Sequence, residues 1–316
     1  MRRATRLAVG ATSSIVLMLL MASCGAFGHH QHPVKSEKRE AQVAAACRGP
    51  TSTAKSTASD VTGEWYVSWG VNPFSCRVSV TDKSGSVHRS LATTVPVQSA
   101  QVAFPDSTDG WIMVSMGPQG YPASLTSVFR SADGGRTWRT ALSAVSWKAR
   151  WGAGGFVGVD ISPIDGETAW ILASMLPGAG SAPKELLRTT NGGRTWDVVA
   201  TQQALPSAAG TDQPVYIDFT SMNAGWLAAS SETIPTSGPL FHTDDGGESW
   251  APVSLPVAAG TANAIGEQVD QLFFRDALHG MVVISYASSN TTSTVCYSTQ
   301  NGGSTWTQSA CTVPSE

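Results

Sequence analysis

The sequence predicts an all-β protein, a β-propeller of five four-stranded blades preceded by a signal peptide and a flexible tether. Three observations predict it. An eight-residue turn signature returns four times, its tryptophans 58, 54 and 56 residues apart, and self-similarity at a near-constant period of this size marks solenoids and propellers. An apolar segment opening on Gly-Trp, Ala-Trp or Gly-Met precedes each copy. The 316 residues include 31 Gly, 17 Pro and 11 Trp but only 14% charged side chains, which is a composition of many turns and many large aromatic anchors. With 20 basic against 23 acidic side chains, the chain is neither a disordered acidic polymer nor a basic nucleic-acid binder.

The first segment, 1–23, reads as an address. Arg2, Arg3 and Arg6 make a basic start and Ile15–Ala22 a short apolar run; a spanning helix needs about 20 apolar residues, so this is an export signal. It ends in Met21-Ala22-Ser23-Cys24, which resembles the bacterial lipobox with Met in place of the usual Leu. That resemblance implies cleavage before Cys24 and lipidation of its thiol; the alternative is ordinary cleavage near Ala26. Removing 1–23 leaves 17 basic against 23 acidic side chains, so attachment to the outer face of the membrane would rest on acyl chains rather than on charge. Residues 24–60 then read as the lipidated cysteine and its tether, with mixed charges from Lys35 to Glu40 and no hydrophobic periodicity. His29, His30 and His32 crowd together there, but with no carboxylate or thiol to fix geometry they predict no metal site.

The body, 61–316, is the repeat. Its boxes are Ser131-Ala132-Asp133-Gly134-Gly135-Arg136-Thr137-Trp138, Thr189–Trp196, Thr243–Trp250 and Thr299–Trp306. Asp133, Asn191, Asp245 and Asn301 hold the third position, where a short polar side chain accepts turn N–H groups; the glycines permit positive φ, and Trp138, Trp196, Trp250 and Trp306 cover the hairpin. Asp244, Asp245 and Glu248 invite a calcium reading, but two boxes carry Asn without extra carboxylates, so the role is structural. Upstream of each box an inner strand leads to the Gly-Trp strand: Val102-Ala103-Phe104 to Gly110-Trp111, Val159-Asp160-Ile161 to Ala169-Trp170, Ile217-Asp218-Phe219 to Gly225-Trp226, and Leu272-Phe273-Phe274 to Gly280-Met281. Each unit therefore has four short strands, and radial stacking of such sheets protects their edges. Glu64–Ser68 resembles a fifth Gly-Trp strand and Thr81–His88 a decayed box, which completes five blades.

Ser/Thr-x-Asp/Asn-x-Gly-x-x-Trp is similar to the Asp-box, or bacterial neuraminidase repeat, of sialidases, sortilin-type receptors and the photosystem II stability and assembly factor family. The Gly-Trp strand followed by Arg188-Thr189-Thr190-Asn191-Gly192-Gly193-Arg194-Thr195-Trp196 looks most like the last of these, although its members that assist photosystem assembly have more blades. The sialidase resemblance implies three arginines for the substrate carboxylate, a Tyr–Glu nucleophilic pair and an Asp acid/base, since fixed guanidinium groups bind a carboxylate with geometry as well as charge. Here Arg130, Arg136, Arg139, Arg188 and Arg194 flank boxes and Arg275 shares their face, which by resemblance lies opposite a catalytic mouth. Tyr66, Tyr216 and Tyr286 sit near Gly-Trp or inner strands and read as buried. No catalytic or metal-binding residue is assigned and no cofactor is expected.

The preferred function is a non-catalytic, monomeric, cell-surface lipoprotein that binds a protein or glycan, with no nucleic acid involved. The alternative is a glycoside hydrolase of sialidase-like type acting on extracellular glycans, and a two-carboxylate glycosidase stays open; a purely structural envelope protein is the third class. Trp147-Lys148-Ala149-Arg150-Trp151 lies between one unit and the next, on the face opposite the boxes, beside the variable loops that carry Tyr121 and Glu232. Loops on a rigid scaffold are where recognition is placed, and Trp147, Lys148, Arg150, Trp151, Tyr121 and Glu232 are the expected binding residues; the rival is that Trp147 and Trp151 plug the gap between blades. An even set of exported cysteines favours two disulfides. Cys296 and Cys311 flank the last box hairpin almost symmetrically, leaving Cys47 with Cys76; the rival is a Cys47–Cys311 clasp between the chain ends.

Overall fold

The computed structural model describes residues 54–60, 63–72, 74–85, 87–93, 95–117, 125–143, 156–175, 183–206, 213–230, 238–258, 261, 264–289 and 291–311. These form five four-stranded antiparallel sheets, each built from four consecutive strands in sequence order, and no helix is present among the described residues. Blade 1 is β1 (Ala54–Ser59), β2 (Trp65–Asn72), β3 (Phe74–Asp82) and β4 (Val87–Ala92). Blade 2 is β5 (Val97–Ala103), β6 (Gly110–Met116), β7 (Leu125–Ser131) and β8 (Arg139–Leu142). Blade 3 is β9 (Phe156–Pro163), β10 (Ala169–Met175), β11 (Lys184–Thr189) and β12 (Asp197–Ala200). Blade 4 is β13 (Gln213–Phe219), β14 (Gly225–Ser230), β15 (Leu240–Thr243) and β16 (Ala251–Val253). Blade 5 is β17 (Gly266–Phe274), β18 (Gly280–Ala287), β19 (Thr292–Thr299) and β20 (Thr307–Ser309). The chain is a five-bladed β-propeller. Its first sheet takes β1 from residues that sequence analysis assigned to the tether.

The core lies between blades. Successive side chains of a strand point to opposite faces, so the second strand of each middle blade serves two junctions. In β6, Ile112 and Val114 pack with Val67, Trp69, Val78 and Val80 of blade 1, while Trp111 and Met113 pack with Ile161, Ile171 and Leu187 of blade 3. Trp69 of β2 is thus part of this first core. In β10 and β14 the same division joins blade 3 to blade 4 and blade 4 to blade 5.

An aromatic clamp repeats at these junctions. The tryptophan of one blade's second strand stacks on a phenylalanine of the next: Trp65 on Phe104 at 4.0 Å, Trp170 on Phe219 at 4.0 Å and Trp226 on Phe274 at 3.7 Å. The box tryptophan meets that phenylalanine edge-on, as Trp138, Trp250 and Trp306 do. At the junction of blades 2 and 3 the phenylalanine is missing, and Trp111 meets Trp196 directly at 6.2 Å. The register explains the gap. Phe219 pairs with Gly225 and Asp218 with Trp226, whereas Pro163 pairs with Ala169 and Ser162 with Trp170. The inner strand of blade 3 thus aligns two residues further on than the match of Asp160 with Asp218 implied, and Asp160 occupies the level of Tyr216.

Candidate functional site

Every box is held by one hydrogen-bond scheme. Ser131 Oγ accepts the Gly135 N–H at 2.9 Å and donates to Asp133 Oδ1, which accepts the Thr137 N–H at 2.8 Å; the Thr137 hydroxyl closes the loop on Asp133 Oδ2 at 2.6 Å. The Thr137 hydroxyl and N–H hold the Asp133 carboxyl down to about 2, because hydrogen bonds to the charged form favour it. Gly134 and Gly135 have φ of 65° and 74°, which the doubled glycine permits. Asn191 and Asn301 reproduce the scheme without charge, their amides donating to Thr195 and Thr305 at 2.8 and 2.9 Å, and Asp245 does so through Ser249. The Asp133 and Asp245 carboxylates are thus engaged within their own turns.

A second turn, unremarked in the sequence reading, lies beneath each box. Asp106, Asp165, Ser221 and Asp276 each accept two backbone N–H groups two and three residues ahead. The same loops present carbonyls of Thr108, Glu167, Asn223 and Leu278 to the first box glycine at 2.8–2.9 Å. Box and inner-strand turn are therefore one unit on one face. The box arginines serve that unit. Arg130 pairs with Asp109 at 3.0 Å and Glu167 at 3.4 Å, Arg194 reaches Glu167 at 3.6 Å, and Arg139 donates to the Gly192 carbonyl at 2.6 Å. Arg130 and Arg139 thereby join blade 2 to blade 3, while Arg194 braces the turn of its own blade.

The inner strands enclose a central cavity of about 460 Å³, lined by blades 2 to 5 and reaching the box-side turns at Pro105, Ile164, Thr220 and Arg275–Ala277. Inner strands leave one edge unpaired, and unpaired backbone groups need partners. Here the preceding blade supplies them. Gln101 donates to the Val159 carbonyl at 2.9 Å and Thr126 accepts the Gly158 N–H at 2.7 Å. Asp160 accepts the Ile217 N–H at 2.9 Å and Ser162 the Phe219 N–H at 2.8 Å. Asp218 accepts the Phe274 N–H at 2.6 Å, Ser230 the Val269 N–H at 2.9 Å, and Tyr216 donates to the Asp270 carbonyl at 2.8 Å.

Asp160 and Asp218 are half-buried: open to the cavity yet surrounded by protein on every other side. Desolvation pushes Asp160 up to about 7 against the pull of the Ile217 and Ile161 N–H groups. Desolvation likewise pushes Asp218 up to about 8, with the nearby Asp160 charge adding to it and the Phe274 and Ser162 hydrogen bonds opposing. Tyr216 is raised by burial and by Asp160 and Asp270. A pair of carboxyls that hold protons near neutrality is what acid–base chemistry uses, but both are also backbone acceptors between blades.

Of the residues proposed for binding from sequence, Trp147, Lys148, Arg150, Trp151, Tyr121 and Glu232 all lie outside the described residues, as do Cys24 and Cys47. Cys296 and Cys311 form a disulfide with Cα atoms 5.2 Å apart. Cys76 in β3 is also disulfide-bonded. With the other pair joined, its partner is Cys24 or Cys47, and the Cys47–Cys311 clasp is ruled out. Among the described residues no group of His, Cys, Asp and Glu is arranged to hold a metal ion.

No protein-family model matches the chain, and no curated protein matches it. Solved structures similar to it match at low sequence identity. One is YCF48 bound to D1 peptide, 15% identical with a TM-score of 0.31 over 66% of this chain and 79% of that one. The GH74 xyloglucanase from Xanthomonas campestris is 14% identical with a TM-score of 0.46; the match covers 82% of this chain but only 38% of the enzyme. A PL25 ulvan lyase is 10% identical with a TM-score of 0.47, covering 81% and 68%.

Proposed function

We propose that the chain is an exported, lipid-anchored propeller of the Asp-box type that binds a protein or glycan partner without turning it over. The observation that carries this reading is the use of the inner-strand side chains: Asp160, Ser162, Tyr216 and Asp218 each hold the backbone of the next blade, and the box arginines hold the neighbouring turn. Polar groups fixed in this way build a rigid scaffold, and recognition then falls to the variable loops. On this reading Trp147, Lys148, Arg150 and Trp151, with Tyr121 and Glu232, make the binding face, where indole together with guanidinium suits stacking on a sugar ring or anchoring a partner. Cys24 carries the lipid and the monomer faces outward from the membrane.

A glycoside hydrolase is the second reading, favoured by Asp160 and Asp218 near neutrality in one cavity, since a raised carboxylic acid beside a second carboxyl is a glycosidase pair. One experiment separates the two. The mature protein is assayed on a fluorogenic glycoside panel and crosslinked in intact cells, with Trp147, Arg150 and Trp151 replaced by Ala in parallel. Loss of a crosslinked partner at unchanged thermal stability, with no hydrolysis, supports the binding reading; hydrolysis abolished by Asp218→Asn supports the enzyme.

A further inference from the structure

A four-stranded meander sends its connections alternately to its two ends. The turns from first to second and from third to fourth strand share the box end of the propeller, where the first box glycine bonds the neighbouring turn. The turns from second to third strand and the passages to the next blade share the other end. Contacts between them confirm it: Gly117 donates to the Pro96 carbonyl at 3.0 Å, Ile265 to the Ala287 carbonyl at 2.8 Å, and the Lys184 N–H to Gln202 Oε1 at 2.6 Å.

Charge is divided between those ends. By the strand bounds given above, the ten connections at the box end hold eleven acidic and four basic side chains. The nine at the other end hold two of each, although they are longer in total. Between Glu248 and Glu267 no residue is charged. That stretch carries the passage from β16 to β17, where Val257 and Ile265 are 88% and 62% exposed. Met222 and Leu278, the other exposed large apolar side chains among the described residues, lie in turns of the acidic box end.

The chain also enters at the end that is poor in charge. Ala54 of β1 pairs with Asn72, next to the turn into β3. Cys76, near the start of β3, is disulfide-bonded to Cys24 or Cys47, which ties the N-terminal segment to the same end. Residues 24–53 carry four basic against two acidic side chains. An anionic membrane surface attracts basic segments and repels carboxylates. Aliphatic side chains set in a surface almost free of charge enter the interface without the desolvation cost that carboxylates would bring.

We propose that the end opposite the boxes is a membrane-docking face: with the N-terminal segment anchored, it rests on the bilayer through Val257 and Ile265, and the acidic box end points outward. This rests on the lipid-anchor reading above and adds an orientation to it; a partner that meets this face is itself held at the membrane. The four exposed apolar side chains, two at each end, are the reporters. A hexahistidine tag replacing Cys24 holds the mature chain to vesicles of phosphatidylethanolamine and phosphatidylglycerol that carry a nickel-chelating lipid, so the outcome does not depend on acylation. Hydroxyl-radical labelling of the free and the vesicle-held protein is read by peptide mass spectrometry, with no other protein or glycan present. Docking requires Val257 and Ile265 to lose labelling at least about threefold on the vesicles while Met222 and Leu278 keep theirs. Unchanged labelling of Val257 and Ile265 overturns the proposal. Equal loss at all four, or loss confined to Met222 and Leu278, overturns it too, since the face would then have no preference for lipid. Mass spectrometry of the N-terminus of the cell-made protein tests the anchor separately: an unmodified Cys24 beside a protected Val257 and Ile265 sinks the lipidation and leaves the docking face standing.

Discussion

The pairing of phenylalanine with glycine at the clamp makes a quantitative prediction. A Cβ added at Gly225 would stand 2.4 Å from Phe219 Cδ1 and 2.6 Å from Cε1, where carbon atoms need roughly 3.5–4.0 Å, so an opening of about 1 Å is required. The ring cannot retreat: it is 3% exposed, stacked 4.0 Å from Trp170 at 3° and met edge-on by Trp250 at 6.1 Å. Overpacking costs about 1–3 kcal/mol and a weakened aromatic stack about 0.5–1.5 kcal/mol, so Gly225→Ala should lose roughly 2–4 kcal/mol and on the order of 5–12 °C in Tm. Gly110 against Phe104 and Gly280 against Phe274 are equally close, at 2.4 and 2.5 Å. Blade 3 is the natural control, because Ala169 faces Pro163 and is fully buried without conflict. The assay is urea unfolding followed by tryptophan fluorescence, with disulfides intact and the slope checked for constancy. In a Phe219→Leu background the alanine should cost at least about 1 kcal/mol less, a coupling expected only of residues in contact. An equal cost in both backgrounds, or a loss under about 0.5 kcal/mol in the wild-type background, refutes the steric account.

Three further outcomes follow from the same geometry. Asp160 and Asp218 are raised from 3.8 to about 7 and about 8, so between those limits the folded state holds more protons than the unfolded chain and stability falls as pH rises from about 4 to about 8. Unfolding free energy should drop by about 6 kcal/mol between pH 5 and pH 8 if both groups titrate in full, and Asp160→Asn with Asp218→Asn, which keep an acceptor for each N–H, should flatten the profile; a slope unchanged in the double variant contradicts it. Thr243→Val removes the hydroxyl that accepts the Gly247 N–H at 2.9 Å in a buried turn, and thermal unfolding should register a loss of about 1–3 kcal/mol. Non-reducing peptide mapping should recover Cys296 linked to Cys311 and Cys76 linked to Cys47; a Cys24–Cys76 peptide would refute the second pairing and also the lipidation of Cys24.

What was legible in the sequence was whatever each repeat writes for itself. The box could be read to its hydrogen bonds, because Ser131, Asp133 and Thr137 are all within one turn. The companion turn was equally readable and was missed: Asp106, Asp165, Ser221 and Asp276 each stand five residues ahead of Trp111, Trp170, Trp226 and Met281. The slip in the third inner strand has a similar cause. Matching Asp160 to Asp218 by residue type ignored the spacing to the tryptophan, whereas Pro163 and Phe219 each stand seven residues ahead of it. The cavity was not legible. Its carboxyls are raised and engaged by the backbone of the following blade, 56 or 57 residues away, and no local pattern reports a partner at that distance.

The exceptions to the repeat carry more than the repeat does. Pro163 with Ala169 departs from Phe–Gly at both members of one pair, which is expected when the glycine serves the ring rather than the backbone: once the ring goes, the side chain returns. Met281 and the undecorated turn at Asp82–Gly85 depart together in the same sense, at the two sides of one junction. A clamp needs a tryptophan from one blade and a box from the next, so losing either member frees the other to drift. Blade 5 nevertheless buries Phe273, Met281 and Cys296 on the face turned away from blade 4, so on that side aliphatic and single-ring packing takes the place of the tryptophan stack.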